Sequence, residues 1–250
     1  MKNKDIIIEI CCGSYEDVVY AKQAGAHRVE LNSALFLGGL TPSLGNLRLC
    51  KKNVDIITIP MIRPRAAGFL YSEYEYETMK EDAALFLEND ADGIVFGFLH
   101  KNGTIDEKRT AEFVEMAAKK GKDAVFHRAF DVTPCPFEAL ESLIKCGVTR
   151  ILTSGQAPSV PQGLDLIKEL VQKAGNRIEI LPGAGIKAHN AAQVVEHTNV
   201  TQIHFAASET REEPSVANNR SIYFGGALYP REDIIEVTSA QKIKDIIDVV

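Results

Sequence analysis

The chain has no excess of positive charge, no long apolar run, no regular cysteine spacing and no Gly-rich phosphate loop after its first hydrophobic segment. Each lack removes a class. The net charge is −6, so general binding to nucleic acid or to an anionic membrane is not expected. The N-terminal run Ile6-Ile7-Ile8 is broken by Glu9 and is too short for a signal peptide or a membrane span. A cytoplasmic protein without a membrane partner is expected. Five cysteines, an odd number at irregular spacing and without C-x-x-C, do not make a disulfide framework. Cys50 and Cys146 fall in helical patterns and read as small core residues. Cys11 and Cys12 are adjacent on a strand, so only one of them can face a given pocket.

What remains is an alternation. Apolar strand-like runs occur at Ile6–Ile10, His27–Asn32, Ile56–Ile62, Gly93–Leu99, Asp123–Phe126, Arg150–Thr153, Arg177–Leu181 and Thr201–Ala206. A helical pattern follows each run before the next begins. Ser14 with Asp17 and Ser72 with Glu75 have capping-box spacing, and Gly25, Gly121 and Gly147 supply helix stops. Eight strand–helix units without a composition break imply right-handed crossovers and a parallel sheet. Their number and the 250-residue length predict an α/β fold of the TIM (β/α)8 barrel type, an eight-stranded parallel barrel with outer helices. An open doubly wound sheet is the alternative, but Cys12-Gly13-Ser14 is not its phosphate-binding turn. One barrel domain over residues 1–250 is expected, with an irregular segment at about 209–231 and a closing helix capped by Ser239. The helix after the seventh strand is expected over roughly Ala188–Glu196.

In a barrel the carboxyl ends of all strands converge on one mouth. Glu9, Glu30, Asn32, Arg63, Arg65, His127, Arg128, Asp131, Ser154 and His204 fall at those ends. The stretch Phe126-His127-Arg128-Ala129-Phe130-Asp131 places an imidazole, a guanidinium and a carboxylate within five residues. It reads as a catalytic segment, or as a core histidine beside an ion pair. His127, Glu9, Glu30 and Asp131 are the catalytic candidates, with His127 or His204 as general acid or base. Arg63-Pro64-Arg65 reads as a fork for a carboxylate or phosphate, or as a solvated turn. Arg128, Asn32, Ser154, His204, Gly183, Gly185 and Ser208 complete the substrate-binding set. Gly183–Gly185 and Ser208 lie where barrels often hold phosphate on backbone N–H groups. Glu9, Glu30, His127 and His204 together have the chemistry of a Mn²⁺, Mg²⁺ or Zn²⁺ site, although no short-range ligand motif supports one. Glu9, Glu30, Arg63, His127 and Asp131 are expected to serve function at the expense of stability.

Seven segments also resemble one family. They are Glu9-Ile10-Cys11, Arg28-Val29-Glu30-Leu31, Gly38-Gly39-Leu40-Thr41-Pro42-Ser43, Ile62-Arg63-Pro64-Arg65, Phe126 to Asp131, Leu152-Thr153-Ser154-Gly155 and Pro182-Gly183-Ala184-Gly185-Ile186. In this order, from Glu9 to about Ser208, they are similar to the CutC family of copper homeostasis proteins. The resemblance implies a TIM barrel, a homo-oligomer such as a dimer, a cytoplasmic location, and copper or another divalent metal as ligand or cofactor. It implies cysteine ligands near the ends of the first two strands. Cys11 matches the first of these, and Asn32 stands where many members have the second. A soft Cu(I) site needs at least two thiolate or thioether donors, so no tight Cu(I) site is expected here. Two functions follow: metal handling in the family's sense, or an enzyme of lyase or isomerase type acting on a small anionic or sugar-like substrate.

Overall fold

The structure is a computed structural model, and residues 6–225 and 231–250 are described. Strands β1 (Ile7–Cys12), β2 (Arg28–Leu31), β3 (Ile57–Pro60), β4 (Gly93–Phe96), β5 (Asp123–Phe126), β6 (Arg150–Thr153), β7 (Glu179–Pro182) and β8 (Gln202–Phe205) alternate with helices. The helices are α1 (Tyr15–Gln23), α2 (Leu44–Asn53), α3 (Glu73–Glu88), α4 (Glu107–Ala118), α5 (Pro136–Cys146), α6 (Leu164–Ala174) and α7 (Ala191–Thr198). All pairings among the eight strands are parallel. They form two four-stranded runs, β3-β2-β1-β8 and β4-β5-β6-β7. Single bridges Met61↔Val95 and Gly183↔His204 join the runs and close the barrel.

Period-two alternation divides each strand between two cores. Ile8, Ile10 and Cys12 on β1, Val29 and Leu31 on β2, Phe96 on β4 and Phe126 on β5 pack outward with the inner faces of the helices. The interior is not uniform. On the side of β3 to β5 it is apolar, filled by Ile59, Met61, Val95 and Val125. On the other side it is charged. Arg28 donates to Glu9 and to Gln202 Oε1 (2.7 Å), Gln202 donates to Glu179 (3.2 Å), and Arg150 bonds Glu179 (2.8 Å) and Asp123 (3.0 Å). The sequence pattern explains this column. Arg28-Val29-Glu30 puts two charged groups on one face of β2 with an apolar residue between them facing the helices.

Four local expectations change. Asp17 is not the second half of a capping box. Ser14 caps α1 by accepting from the Asp17 N–H, but the Asp17 carboxylate accepts from Gly13 N–H (2.9 Å) and Thr238 N–H (2.6 Å). Helix α7 starts at Ala191 because Asn190 first closes a turn, its Oδ1 accepting from Lys187 N–H (2.8 Å). The segment after β8 is not wholly irregular. Strand β9 (Ser208–Glu212) pairs antiparallel with β10 (Ile234–Thr238), which leads into α8 (Ala240–Ile247). Part of that segment, 226–230, lies outside the described residues. The Ser239 side chain makes no cap on α8; its backbone N–H bonds Ala207 O at 2.6 Å.

Candidate functional site

Register brings the first group of candidates together. Across β2-β1-β8, Arg28, Glu9 and His204 stand in one row, because Glu9 pairs with Arg28 on one side and with His204 on the other. One step nearer the mouth, Cys11 pairs with Glu30. His204 Nδ1 lies 2.7 Å from Glu9 Oε1, which leaves its Nε2 edge toward Cys11. The Cys11 thiol points at Glu30 Oε1 (3.8 Å), and Asn32 Nδ2 reaches both Glu30 Oε1 (2.9 Å) and Cys11 Sγ (3.5 Å). Donor atoms of Cys11, Glu30 and His204 all lie within 4.8 Å of one another.

The electrostatics follow from burial and neighbours. Burial pushes the Glu9 carboxyl up, but the His204 hydrogen bond and the Arg28 guanidinium outweigh it and hold the group down to about 2. Burial pushes the His204 imidazolium toward neutrality, yet the contacts with Cys11, Glu30 and Glu9 raise it well above its ordinary value. Glu30 is raised, chiefly by burial, and one of its oxygens, Oε2, is buried without a hydrogen-bond partner. Burial raises the Cys11 thiol as well. Glu9 is therefore a fixed anion beneath the mouth, supporting Arg28 and His204, rather than a free catalytic carboxylate.

The second group lies across the mouth. Arg63, at the end of β3, uses its Nη atoms on the carbonyls of Leu37 (3.1 Å), Gly38 (3.2 Å), Gly39 (3.0 Å) and Ala67 (2.9 Å), while its Nε is buried without a partner. His127 follows β5. Its Nδ1 accepts from Ala129 N–H (3.1 Å), so the neutral ring carries its proton on Nε2, and Nε2 has no partner. Burial and then the Arg63 charge lower His127 to about 3. It is a neutral imidazole at any physiological pH. Phe69 packs on its ring with centroids 4.8 Å apart and also faces the Arg63 guanidinium at 5.4 Å.

The remaining candidates are placed differently. Arg65 turns outward to Glu75 (2.5 Å) and to the carbonyls of Ala66, Gly68 and Leu70, so it clamps a loop onto the cap of α3 and forms no fork with Arg63. Asp131 is saturated. It accepts from Arg128 Nε (2.7 Å), Thr153 Oγ1 (2.5 Å), the Ser154 N–H and hydroxyl, and the Gln156 N–H. Arg128 also donates to Ser154 Oγ at 2.8 Å. Arg128, Asp131 and Ser154 thus tie the loops after β5 and β6 together. Gly183 lets Leu152 and His204 close over it, since a Cβ there would lie 2.5 Å from Leu152 Cδ1. Gly185 has φ +77° and lies against Ser159. Ser208 begins β9, and its carbonyl accepts from Lys242 Nζ (2.6 Å).

Sequence reasoning missed Arg28, Phe69, Tyr71 and Gly97. The Tyr71 hydroxyl is another buried group without a partner. A Cβ on Gly97 would come within 2.4 Å of His127 Cε1, so only Gly leaves room for that ring. The signal for Gly97 was a glycine inside the apolar run Gly93–Leu99; Arg28 was marked by its charge inside an apolar run. A cavity of about 780 Å³ lies elsewhere, outside the barrel where α3, α4 and α5 meet, lined by Tyr76, His100, Asp106, Arg109 and Glu138 among others. It contains none of the mouth residues. The mouth is the candidate site because four side chains there, Glu30, Asn32, Arg63 and His127, are each at least nine-tenths buried with a polar atom unpartnered.

The chain matches the CutC family model over residues 6–209. It is 58% identical to a CutC family protein of Treponema denticola over 98% of each chain. It is 40% identical to the human copper homeostasis protein cutC homolog, covering 96% of this chain and 87% of that one. Among solved structures it is similar to the putative copper homeostasis protein CutC of Streptococcus agalactiae, with a TM-score of 0.75 and 34% identity over 80% of this chain and 98% of that one. Phosphoribosylanthranilate isomerase of Thermotoga maritima, at 10% identity and TM-score 0.55, shares the fold alone.

Proposed function

Because the chain belongs to the CutC family, we propose that it serves copper homeostasis, the role for which its human and mouse relatives are named, and that it does so by holding one divalent transition-metal ion at Cys11, Glu30 and His204. The observation that carries this is the convergence of three donor atoms within 4.8 Å, one of them on a carboxylate whose second oxygen has no partner. One thiol, one carboxylate and one imidazole form a borderline set suited to Cu(II) or Zn(II). The Glu9 carboxylate behind His204 is the outer partner that metal-binding histidines usually have. The set does not fit Cu(I). Asn32 supplies no soft donor beside Cys11, and Cys12 is fully buried on the opposite face. The cytoplasmic location and homo-oligomeric assembly implied by the family belong to the same proposal.

The test is a titration of metal-free protein with Zn(II), as a redox-silent probe, and with Cu(II). The expected result is one equivalent bound, with at least tenfold weakening in Glu30→Gln and in Cys11→Ser. Cu(I), titrated against a chelator, should find no stoichiometric site. A Cu(I) site abolished by Cys11→Ser, with no divalent site, would overturn the proposal. The lyase or isomerase reading is narrower than the sequence implied, because Glu9 and Asp131 are both committed to other groups. Of its proton-transfer candidates, His127 and Glu30 each keep an unpartnered atom, His127 Nε2 and Glu30 Oε2.

A further inference from the structure

Three arginines are buried in the barrel, and two of them face carboxylates. Arg28 pairs with Glu9, and Arg150 with Asp123 and Glu179. Arg63 is 7% exposed, and among the described residues no carboxylate forms a salt bridge with it. Its Nη atoms reach only carbonyls. Carbonyl dipoles orient a guanidinium but do not neutralise it, and a buried charge without a counter-ion is costly. The Nε–H is left over, buried and unpaired.

His127 is the neighbour that shares the Phe69 ring with Arg63. Its Nε2–H is a second buried donor without an acceptor. Asn32 Oδ1 is a buried acceptor without a donor. It lies against Gly39, whose carbonyl holds Arg63; a Cβ on Gly39 would sit 2.5 Å from that oxygen. The mouth therefore buries one uncompensated positive charge, two N–H groups without acceptors, the Tyr71 hydroxyl without a partner and, across a single glycine, one carbonyl oxygen without a donor.

We propose that this half of the mouth binds the carboxylate of a small organic acid, held by Arg63 Nε–H and His127 Nε2–H, with Asn32 Oδ1 accepting from a hydroxyl or ammonium group of the same molecule. One cation calls for one negative charge, which a carboxylate supplies. A phosphate dianion would bring excess charge close to the Glu30 carboxyl that Asn32 holds. Arg63 and His127 touch none of the Cys11–Glu30–His204 set, while Asn32 borders it through the Nδ2 bonds to Glu30 and Cys11.

The test uses metal-free, full-length protein and isothermal titration with acetate, glycolate, glycine and inorganic phosphate. Glycolate or glycine should bind saturably at one site per chain, at least tenfold more tightly than acetate. The one that binds more tightly identifies the donor as hydroxyl or ammonium. His127→Phe, which keeps a ring between Phe69 and Gly97, should weaken binding at least tenfold. Asn32→Ala should remove the preference over acetate. In the unmodified protein, saturation with the tighter acid should shift the ¹⁵N resonance of His127 Nε2. No saturable carboxylate binding, an unmoved Nε2 resonance, or phosphate binding more tightly than every carboxylate would each overturn the proposal. Loss of Zn(II) binding in Glu30→Gln with carboxylate binding retained would separate this site from the metal site.

Discussion

Glu9 and Glu30 are both glutamates, both 3% exposed, and both inside the barrel, yet their replacement by glutamine should have opposite consequences. Glu9 faces Arg28 on one side and the His204 imidazolium on the other. Holding its carboxyl at about 2 rather than 4.5 corresponds to about 3 kcal/mol of preferential interaction with the charged form, at roughly 1.36 kcal/mol per pKa unit. Removing one partner of a buried pair generally costs about 3–5 kcal/mol, so the two routes agree. Glu9→Gln should therefore lose about 3 kcal/mol at pH 7, or roughly 6–12 °C in melting temperature for a chain of this length. Glu30 has no arginine partner, and burial raises its carboxyl. Glu30→Gln should be neutral or slightly stabilising. Urea unfolding at pH 7, with a thermal melt beside it, makes the comparison. The sign of the pH effect is also set. A depressed carboxyl contributes stability above its unfolded value of 4.5, and that contribution is lost as pH falls toward about 2. The gap between parent and Glu9→Gln should thus narrow in acid. If Glu9→Gln stays within about 0.5 kcal/mol of the parent, about the size of a typical surface effect, or if Glu30→Gln falls as far, the division into strut and ligand group is wrong.

Gly97→Ala would press a methyl onto the His127 ring at 2.4 Å; it should cost about 1–3 kcal/mol by overpacking, seen in a melt, and should disturb the His127 ring signals in NMR. Arg65→Ala removes a clamp whose side chain is 38% exposed. Its ion pair with Glu75 should be worth about 0–1 kcal/mol, and titration should show glycolate or glycine binding as in the parent. His127, neutral in the fold and lowered to about 3, contributes stability above its ordinary 6.5 that is lost as pH falls toward 3. Urea midpoints between pH 7.5 and 5 should accordingly fall less steeply in His127→Phe than in the parent.

The eight units were legible because each is local. Ile6–Ile10, Gly93–Leu99 and Asp123–Phe126 are apolar runs followed by helical spacing and a glycine stop, and no distant contact is needed to see them. The mouth was legible for the same reason, since strand ends can be read one at a time. Which groups would pair could not be read. Glu9 meets His204 across 195 positions of sequence, through a β1–β8 register that exists only once the barrel has closed. Arg63 and Arg65 looked alike two residues apart, but the chain turns at Pro64, and Arg65 leaves for the cap of α3. Asp131 looked catalytic beside His127. The loop after β6 then folds back to offer it the Thr153 hydroxyl and the Ser154 and Gln156 amides, a long-range contact that no local pattern signals.

The two single-bridge joints between β3 and β4 and between β7 and β8 divide the barrel into halves whose internal ladders are longer than the links between them. Each joint touches the mouth. Met61 lies two residues before Arg63, and His204 is itself a bridge residue. A carboxylate spanning Arg63 after β3 and His127 after β5 would lace the first joint. A metal ion at Cys11, Glu30 and His204 would stiffen the half-sheet that carries the second. The barrel would then be a clasp, with occupancy of its mouth deciding how tightly the halves are shut. Amide exchange at Ile62, whose N–H crosses the first joint to Val95 O at 2.7 Å, would report closure of that joint directly.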